Sequence, residues 1–407
     1  MSAVAIFAGR VVTCDARRAG DPLGVVLDGG VVAEAGRIVA VGTRAEIAAA
    51  SQGATVLADA PDAVLTPGLC DAHTHAAFAG SRHDEYALRM AGASYEAIAE
   101  KGGGIQSTVR AVRAATREDL TRELAQRLTR MASLGVTTVE VKSGYGLDAA
   151  TEQKQLEAIA AAQSEALPRV VPTYLALHAV PKDTPRDVYV AGAVDNVRRF
   201  ARKGLARFVD AYVDRGAFSV AEAELIARAA KGEGLGLRVH AGQFADVGAA
   251  SLAARFGAAS ADHLENVAPA DLEAMARAGT HAVLLPVASF TLAQTAPNVS
   301  LLRAAGVRIV VASDANPGTA PTESLPLALA LAFRSYGLTP AEALLGATRE
   351  AASSLGLADR AGVLAAGFDA DWVLWDLPHE HAILQPWGTP KAKLVVRGGR
   401  PFAVAPR

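Results

Sequence analysis

Two histidines separated by one residue, His73 and His75, are the pair in this sequence best suited to bind a metal ion. They follow an apolar run that starts at Leu65. On an extended strand, side chains two residues apart point to the same face, so both imidazoles can reach one ion. Imidazole nitrogen is a common ligand of zinc and of iron. Asp71, just upstream, could orient one ring or enter the site itself. Two ligands hold a metal poorly, so this hypothesis requires more ligands further along the chain.

Polar side chains recur at the ends of other apolar runs. They are His178, His240, Gln243, His263, Asp314 and Asn316, together with Lys142, Ser143 and Tyr145 after the second run. The carboxyl ends of parallel strands meet on one face of an α/β barrel, so we expect these groups to lie near His73 and His75. A surface or hydrogen-bonded role is the better interpretation of the four remaining histidines, which are His83, His281, His379 and His381.

Strand-like runs alternate with stretches of helical periodicity between residues 67 and 357, and this alternation predicts parallel βα units. The predicted strands are residues 65–78, 137–142, 169–177, 207–213, 236–240, 260–263, 281–287 and 307–313. The predicted helices are residues 117–134, 149–165, 188–203, 220–233 and 272–278. We therefore expect an α/β fold whose catalytic domain is a TIM-like (β/α)8 barrel.

Both ends of the chain have the pattern of short strands separated by turn glycines. At the N-terminal end these strands are residues 3–13, 25–32, 37–41 and 55–57, with helical periodicity at 44–50. At the C-terminal end they are residues 362–375 and 394–399. We expect residues 1–66 and 358–407 to form one small β-sandwich domain, with the barrel of residues 67–357 inserted between its two parts.

The composition favours a globular cytoplasmic protein that acts on a small molecule. Of 407 residues, 51% are hydrophobic and 20% are charged, which suffices for a sizeable core. The net charge of −2, without a run rich in Lys and Arg, argues against a nucleic-acid partner. Cys14 and Cys70 give no disulfide framework. The sequence shows neither a signal-peptide pattern nor an apolar stretch of ~18 residues, so we expect neither export nor a membrane span.

Three imidazoles and one carboxylate, from His73, His75, His240 and Asp314, would form a mononuclear metal site with a position left for water. A bound divalent ion lowers the pKa of that water toward ~7 and so generates hydroxide at neutral pH. Without the histidines, a helix N-cap or turn would be the better interpretation of Asp314, but its strand-end placement, shared with the histidines, favours a ligand and proton acceptor. His263 is a candidate to polarise a carbonyl or shuttle a proton, with a hydrogen-bonded core histidine as the alternative.

The motif Pro67-Gly-Leu-Cys-Asp-Ala-His-Thr-His75, with His240 and Ser313-Asp314, resembles the amidohydrolase superfamily of metal hydrolases, which have a barrel and a split β domain. A narrower resemblance, to the imidazolonepropionase family of histidine degradation, rests on residues 73–82, 102–110, 140–146, 240–243, 261–265 and 313–319. This similarity covers nearly the whole chain. It implies hydrolysis of the ring amide of 4-imidazolone-5-propanoate to N-formimidoyl-L-glutamate.

The resemblance also implies roles for individual residues. One Zn²⁺ or Fe²⁺/Fe³⁺ ion per subunit would be bound by His73, His75, His240 and Asp314, and the catalytic residues would be His263 and Asp314. The substrate would be held by Arg82, Tyr145, His178, Gln243, Asn316, Gly318 and Thr319. In two-metal relatives a lysine at the position of Lys142 bridges the ions as a carbamate, and pairing with a carboxylate is the alternative here. A homodimer is a further expectation from the family.

Two of these positions bear on substrate and mechanism. Arg82 can meet the propanoate carboxylate bidentately, although a solvated surface arginine is the commoner role. Some relatives carry Glu at the position of Gln243. A carboxamide cannot act as a general base, so here that role falls to Asp314 or His263.

Other interpretations of the same residues stay open. A deaminase or another cyclic-amide hydrolase would use similar ligands, but Arg82 with Tyr145 favours a substrate with an acidic tail. A barrel that serves only as a binding or assembly module is disfavoured because all four ligands are present. Tyr95 either adds a hydroxyl to the site or packs in a helix, and the glycines at 102–104 either approach a ligand or form a flexible turn.

Overall fold

The computed structural model describes residues 3–92, 103–165, 168–385, 387–389 and 391–402. Its strands are β1 (Val4–Val12), β2 (Val25–Glu34), β3 (Arg37–Thr43), β4 (Thr55–Pro67), β5 (Leu69–Asp71), β6 (Val136–Lys142), β7 (Arg169–Leu177), β8 (Phe208–Val213), β9 (Gly236–Ala241), β10 (Ser260–His263), β11 (His281–Leu284), β12 (Ile309–Val311), β13 (Trp372–Trp375), β14 (Ala392–Arg397) and β15 (Arg400–Phe402).

The α-helices of the described residues are His83–Met90, Ile105–Ala114, Arg117–Ser133, Ala149–Glu165, Arg186–Arg202, Val220–Gly232, Ala249–Arg255, Pro269–Ala278, Pro286–Thr291, Val299–Ala305, Leu325–Leu331, Pro340–Gly346 and Arg349–Ser354. A π-helical turn follows at Ala332–Tyr336, and a 3₁₀-helix lies at Glu380–Leu384. Within the described ranges, no helix combines the length and apolar character needed to cross a bilayer.

Strands β5 to β12 form one parallel sheet in which each strand pairs with the next along the chain. This sheet closes just beyond the ends of β5 and β12, where Thr74 forms an isolated parallel bridge with Ala315. The N–H of His75 donates to the Ala315 carbonyl at 3.0 Å, and the N–H of Asp314 donates to the His73 carbonyl at 3.0 Å. The predicted (β/α)8 barrel is confirmed, and its closure brings the first and last strand ends together.

The helices between the strands cover the barrel with one apolar face. Helix Arg117–Ser133 begins after Thr116, whose side-chain oxygen accepts the N–H of Asp119 as an N-cap. Leu124, Leu128 and Met131 then share one apolar core with the residues of β6, and Leu120 packs in a separate cluster with Val112 and Tyr145. Because the sheet is covered in this way, β6 is buried along its whole length, as is usual for parallel sheets.

Strands from both ends of the chain form a second sheet, in the order β15-β14-β13-β4-β1-β2-β3. β1 and β4 are parallel, and the other neighbours are antiparallel. The two ends share one apolar core, to which Ile6, Leu65, Trp372 and Val396 belong. The prediction of a small β domain built from both termini is confirmed.

Some predicted segments are wrong in their limits. Residues 65–78 are not one strand, because β4 ends at Pro67 in the small sheet and β5 starts at Leu69 in the barrel. The chain passes between the sheets at Gly68, where a Cβ would lie 2.0 Å from Oγ1 of Thr137. The strand predicted at 281–287 ends at Leu284, because Pro286 begins a helix. The periodicity at 44–50 gives turns, and the strand predicted at 55–57 extends to Pro67.

Candidate active site

Three imidazole rings meet at the carboxyl end of the barrel. Nε2 of His75 lies 3.3 Å from Nε2 of His73 and 3.3 Å from Nε2 of His240. His73 and His75 belong to the segment after β5, and His240 is the penultimate residue of β9. All three side chains are buried, and one nitrogen from each lies within 4.8 Å of the others. The fold thus places side chains 165 residues apart in the sequence at one point.

Asp314 lies beside this histidine group. Its Oδ1 is 3.6 Å from Nε2 of His73 and 3.5 Å from Nε2 of His75. The backbone of Asp314 has a φ of +55°, which non-glycine residues adopt rarely. Ser313 anchors this turn, because its N–H and its hydroxyl donate to the carboxylate of Asp71 at 3.0 and 2.6 Å. Asp71 therefore supports the turn that carries Asp314. The alternative from the sequence, that Asp71 orients an imidazole ring, is not what the structure shows.

Two carboxylates that the sequence analysis missed orient the rings. Oδ2 of Asp262 lies 2.7 Å from Nδ1 of His73, and Oδ1 of Asp210 lies 3.1 Å from Nδ1 of His240. Both carboxylates are fully buried. A signal for them exists in the sequence, since each is an acidic residue inside a strand-like run, where a charge is costly unless it has a partner.

The donor set fits a divalent cation. A carboxylate on Nδ1 keeps the proton there, so Nε2 of His73 and of His240 presents a lone pair to the common centre. Burial lowers the pKa of His73 and of His75 well below the ordinary value, so both rings are neutral, as metal ligands must be. Burial raises the pKa of Asp314, and a cation among these ligands would oppose that rise. Lone pairs that converge in this way repel one another unless a cation lies between them.

Lys142, the last residue of β6, is fully buried between two carboxylates. Its Nζ lies 2.8 Å from Oε1 of Glu140 and 2.7 Å from Oδ2 of Asp210. Burial opposes the charge on Lys142, but Asp210 and Glu140 outweigh it and leave the pKa raised. The geometry favours carboxylate pairing over the carbamate alternative. It also makes Lys142 the support of Asp210, which in turn orients His240.

Tyr145 and His178 lie on one side of the histidine group. The ring of His178 stacks on that of His75, with centroids 5.3 Å apart and an interplanar angle of 27°, and Tyr145 lies 5.2 Å from His178. Nδ1 of His178 is 2.8 Å from the Gly144 carbonyl oxygen, which keeps the proton on Nδ1. Burial lowers the pKa of His178 to about 4, so its ring is neutral. Glu152 fixes the loop by accepting the N–H of Gly144 at 2.8 Å.

Arg82 and the loop after β12 form another group of sequence-predicted residues. Arg82 is 9% exposed, and its Nε donates to Glu85 at 2.8 Å. A Cβ at Gly318 would lie 2.2 Å from Nη1 of Arg82, so glycine is what allows the guanidinium to approach the backbone. Oδ1 of Asn316 shapes the loop by accepting the N–H groups of Gly318 and Thr319 at 2.8 and 2.7 Å. Burial argues against a solvated surface role for Arg82.

His263 and Gln243 are also buried. The ring centroid of His263 lies 5.5 Å from that of His240 and 6.1 Å from that of His73. Its φ of +84° is unusual for a residue with a Cβ, and such strain is often retained at functional sites. Tyr95 lies outside the described residues, as does the first glycine of the 102–104 run.

A second group of potential ligands lies in the C-terminal part of the chain. His379, Glu380 and His381 have ligand atoms close together, but His381 is exposed. Glu380 pairs with Arg10 at 2.6 Å, so its carboxylate already has a cationic partner. The interpretation of His379 and His381 as ordinary histidines stays a prediction.

The barrel, the β domain built from both chain ends and the buried histidine group at the strand ends define a class of protein. The model of the amidohydrolase family matches residues 64–401. The chain belongs to this family, whose members are metal-dependent hydrolases.

Full-length relatives narrow this class. The imidazolonepropionase of Acidiphilium cryptum (strain JF-5) is 43% identical over 392 residues, which cover 96% of this chain and 97% of the relative. That of Methylobacterium nodulans is 44% identical over 381 residues, covering 93% and 95%. Within the amidohydrolases, the chain is thus a member of the imidazolonepropionase family.

Solved structures share the whole fold. Triazine hydrolase from Arthobacter aurescens superposes with a TM-score of 0.77 at 17% identity, covering 98% of this chain and 94% of that one. An adenosine deaminase from Xanthomonas campestris with bound zinc gives a TM-score of 0.70 at 21% identity, covering 98% and 92%. At such identities the likeness shows the fold alone.

Proposed function

We propose that this protein hydrolyses the ring amide of 4-imidazolone-5-propanoate to N-formimidoyl-L-glutamate in L-histidine degradation. The observation that carries the proposal is the convergence of three imidazoles and one carboxylate at the carboxyl end of the barrel. The 43% identity to an imidazolonepropionase over nearly the whole chain supports this choice of substrate.

The proposed ligands of one Zn²⁺ or Fe²⁺/Fe³⁺ ion are His73, His75, His240 and Asp314. Imidazole and carboxylate donors suit either metal, and the Nδ1 partners described above prepare Nε2 for binding. When bound, the ion would supply the Lewis acidity that lowers the pKa of water and polarises a carbonyl.

The chain's own groups would carry the protons. Asp314 takes a proton from the attacking water and passes it to the ring nitrogen as the C–N bond breaks. His263 stabilises the oxyanion that develops on the ring carbonyl, or exchanges a proton with it. Gln243 has no ionisable group, so in this proposal it only binds the substrate.

Arg82 is the proposed partner of the propanoate carboxylate. Glu85 holds Nε of Arg82 and thereby fixes the plane of the guanidinium, and a planar guanidinium can meet a carboxylate with two parallel hydrogen bonds. The other proposed substrate-binding residues are Tyr145, His178, Gln243, Asn316, Gly318 and Thr319.

Elemental analysis combined with an activity assay tests the proposal. We expect one metal ion per chain, loss of imidazolone absorbance with 4-imidazolone-5-propanoate, and no release of ammonia. Release of ammonia from aminated heterocycles without imidazolone turnover would instead identify a deaminase. A tightly bound metal without any hydrolysis would favour a binding module.

The proposal also covers the location of the enzyme, its partners and its oligomeric state. We propose a cytoplasmic location, a small-molecule substrate and neither a nucleic acid nor a membrane as a partner. A homodimer is expected from the family, and light scattering of the purified protein checks it.

A further inference from the structure

A buried carboxylate outside the proposed metal ligands faces His263. Nδ1 of His263 lies 3.8 Å from Oε2 of Glu265, and each side chain is 3% exposed. Neither atom has a hydrogen-bond partner among the described residues. Since unpaired buried polar atoms are costly, and catalytic hydrogen bonds are often long in unliganded enzymes, this pair is poised to form one.

Glu265 is held on its other side by the hydroxyl of Ser289, which in turn contacts the hydroxyl of Tyr336. Ser289 donates to Oε1 of Glu265, and the Ser289 and Tyr336 hydroxyls lie 2.6 Å apart. Tyr336 is the last residue of the π-helical turn. Such turns are rare in proteins, and many of those known lie at functional sites. One oxygen of Glu265 is therefore fixed, while the other points toward His263.

The titratable groups that act on Glu265 are His263, Asp214, Asp314 and Tyr336. Burial raises the pKa of Glu265 to about 7, and the bond from Ser289 opposes that rise. Burial also raises the pKa of Tyr336, so its hydroxyl keeps its proton. A positive charge on His263 would favour the ionised form of Glu265.

We propose that Glu265 is a positioning residue that accepts a hydrogen bond from the Nδ1–H of His263 and leaves Nε2 as the proton-exchanging atom during hydrolysis. The inference rests on the proposed function. It also answers a chemical need, because Gln243 is a carboxamide and cannot act as a general base, which leaves proton transfer to Asp314 or His263. In many hydrolases a carboxylate holds the catalytic imidazole in one tautomer in this way.

Glu265→Gln tests this role while preserving shape. The amide oxygen can still accept the Ser289 bond, but the amide nitrogen would donate toward Nδ1 of His263 and impose the opposite tautomer. We expect kcat to fall by ~100-fold or more, as for loss of general acid–base function. We expect KM and metal content to stay close to those of the unchanged protein, and the neutral-pH limb of the kcat profile to shift.

Nitrogen NMR of the zinc-loaded, ¹⁵N-histidine-labelled protein gives a readout independent of turnover. The His263 signals, identified by their absence in His263→Ala, should show the proton on Nδ1 in the unchanged protein and on Nε2 in Glu265→Gln. Glu380→Gln is the matched control, since the Glu380 side chain is 4% exposed, close to the 3% of Glu265, but pairs with Arg10 in the small β domain. We expect its kcat and pH profile to be unchanged.

The inference is overturned if Glu265→Gln keeps the original kcat, pH profile and His263 tautomer. It is also overturned if kcat falls only in proportion to lost metal. Should Glu265→Gln fail to fold, Tyr336→Phe replaces it, with a lower kcat at unchanged KM expected and an unchanged kcat contradicting the inference. Absence of hydrolysis by the unchanged protein would instead reject the proposed function.

Discussion

The position of the proton on each imidazole decides what the histidine group can bind. Asp262 lies 2.7 Å from Nδ1 of His73, so Nε2 of that ring is free to face Asp314 and the other rings. Burial raises the pKa of Asp262, and Arg238, 3.8 Å away, opposes that rise. The carboxylate accepts the Nδ1–H of His73 at 2.7 Å, and this contact makes His73 a better metal ligand.

Asp262→Asn should weaken metal binding by ~10–100-fold, the usual effect of losing a residue that orients a ligand. The amide keeps the shape of the side chain but loses the charge that raises the basicity of His73. Competition against a chelator of known affinity measures the change. Asp195→Asn is the control, because Asp195 is 78% exposed and pairs only with Arg198 among the described residues. Equal affinities in both variants would show that Asp262 does not support the site.

Sequence reasoning could identify the proposed ligands but not the residues that orient them. His73 and His75 were recognisable because their spacing alone places both on one side of an extended segment. Asp262 lies 189 residues from its partner His73, and no local pattern connects the two. Glu265 was part of a quoted motif, but its relation to His263 depends on a positive φ that periodicity does not reveal.

At the scale of strands, buried charges connect several strands of the barrel. Lys142 on β6 pairs with Asp210 on β8, and Asp210 in turn contacts His240 on β9. Glu140 on β6 takes part through Lys142 and through the N–H of Thr74 at 3.1 Å. Removing one member of such a network leaves the others buried and unpaired.

Lys142→Met should lower the free energy of unfolding by ~3–5 kcal/mol, because Glu140 and Asp210 would remain buried without their cation. Urea denaturation of the metal-loaded proteins measures the difference. Arg130→Met removes a surface ion pair with Glu323, so its cost should be ~1 kcal/mol or less. Equal losses in the two variants would contradict a structural role for the network.

The predicted boundaries of helices and strands agree with the structure where the local sequence pattern is strong. Helix Ala149–Glu165 and strand β10 have the predicted limits, since each is long or sharply bounded. Helices of six or seven residues, such as Leu325–Leu331 and Arg349–Ser354, show too few apolar repeats to be recognised. The π-helical turn, five residues long, is too short to show a periodicity from which the sequence could predict it.

At the scale of the whole molecule, the two sheets meet away from the site. Arg169, the first residue of β7, pairs with Asp369 and Asp371, which precede β13, and the N–H of Gly68 donates to the Asp371 carbonyl at 3.0 Å. These contacts lie at the amino ends of the barrel strands, so the carboxyl ends stay available for chemistry.

The contribution of both chain ends to one small sheet was predictable from the similar sequence patterns at the two ends. The strand order of that sheet was not, because it depends on pairing between residues far apart in the chain. Domain limits at 66/67 and 357/358 stay a proposal.

Metal content measured beside turnover, in His240→Ala and His263→Ala, tests the central claim most directly. If four side chains from three distant parts of the chain hold the ion while His263 acts on the substrate, His240→Ala loses metal and activity together. His263→Ala then keeps the metal and loses most turnover of 4-imidazolone-5-propanoate. Equal loss of metal in both variants, or full metal content in His240→Ala, would contradict the account.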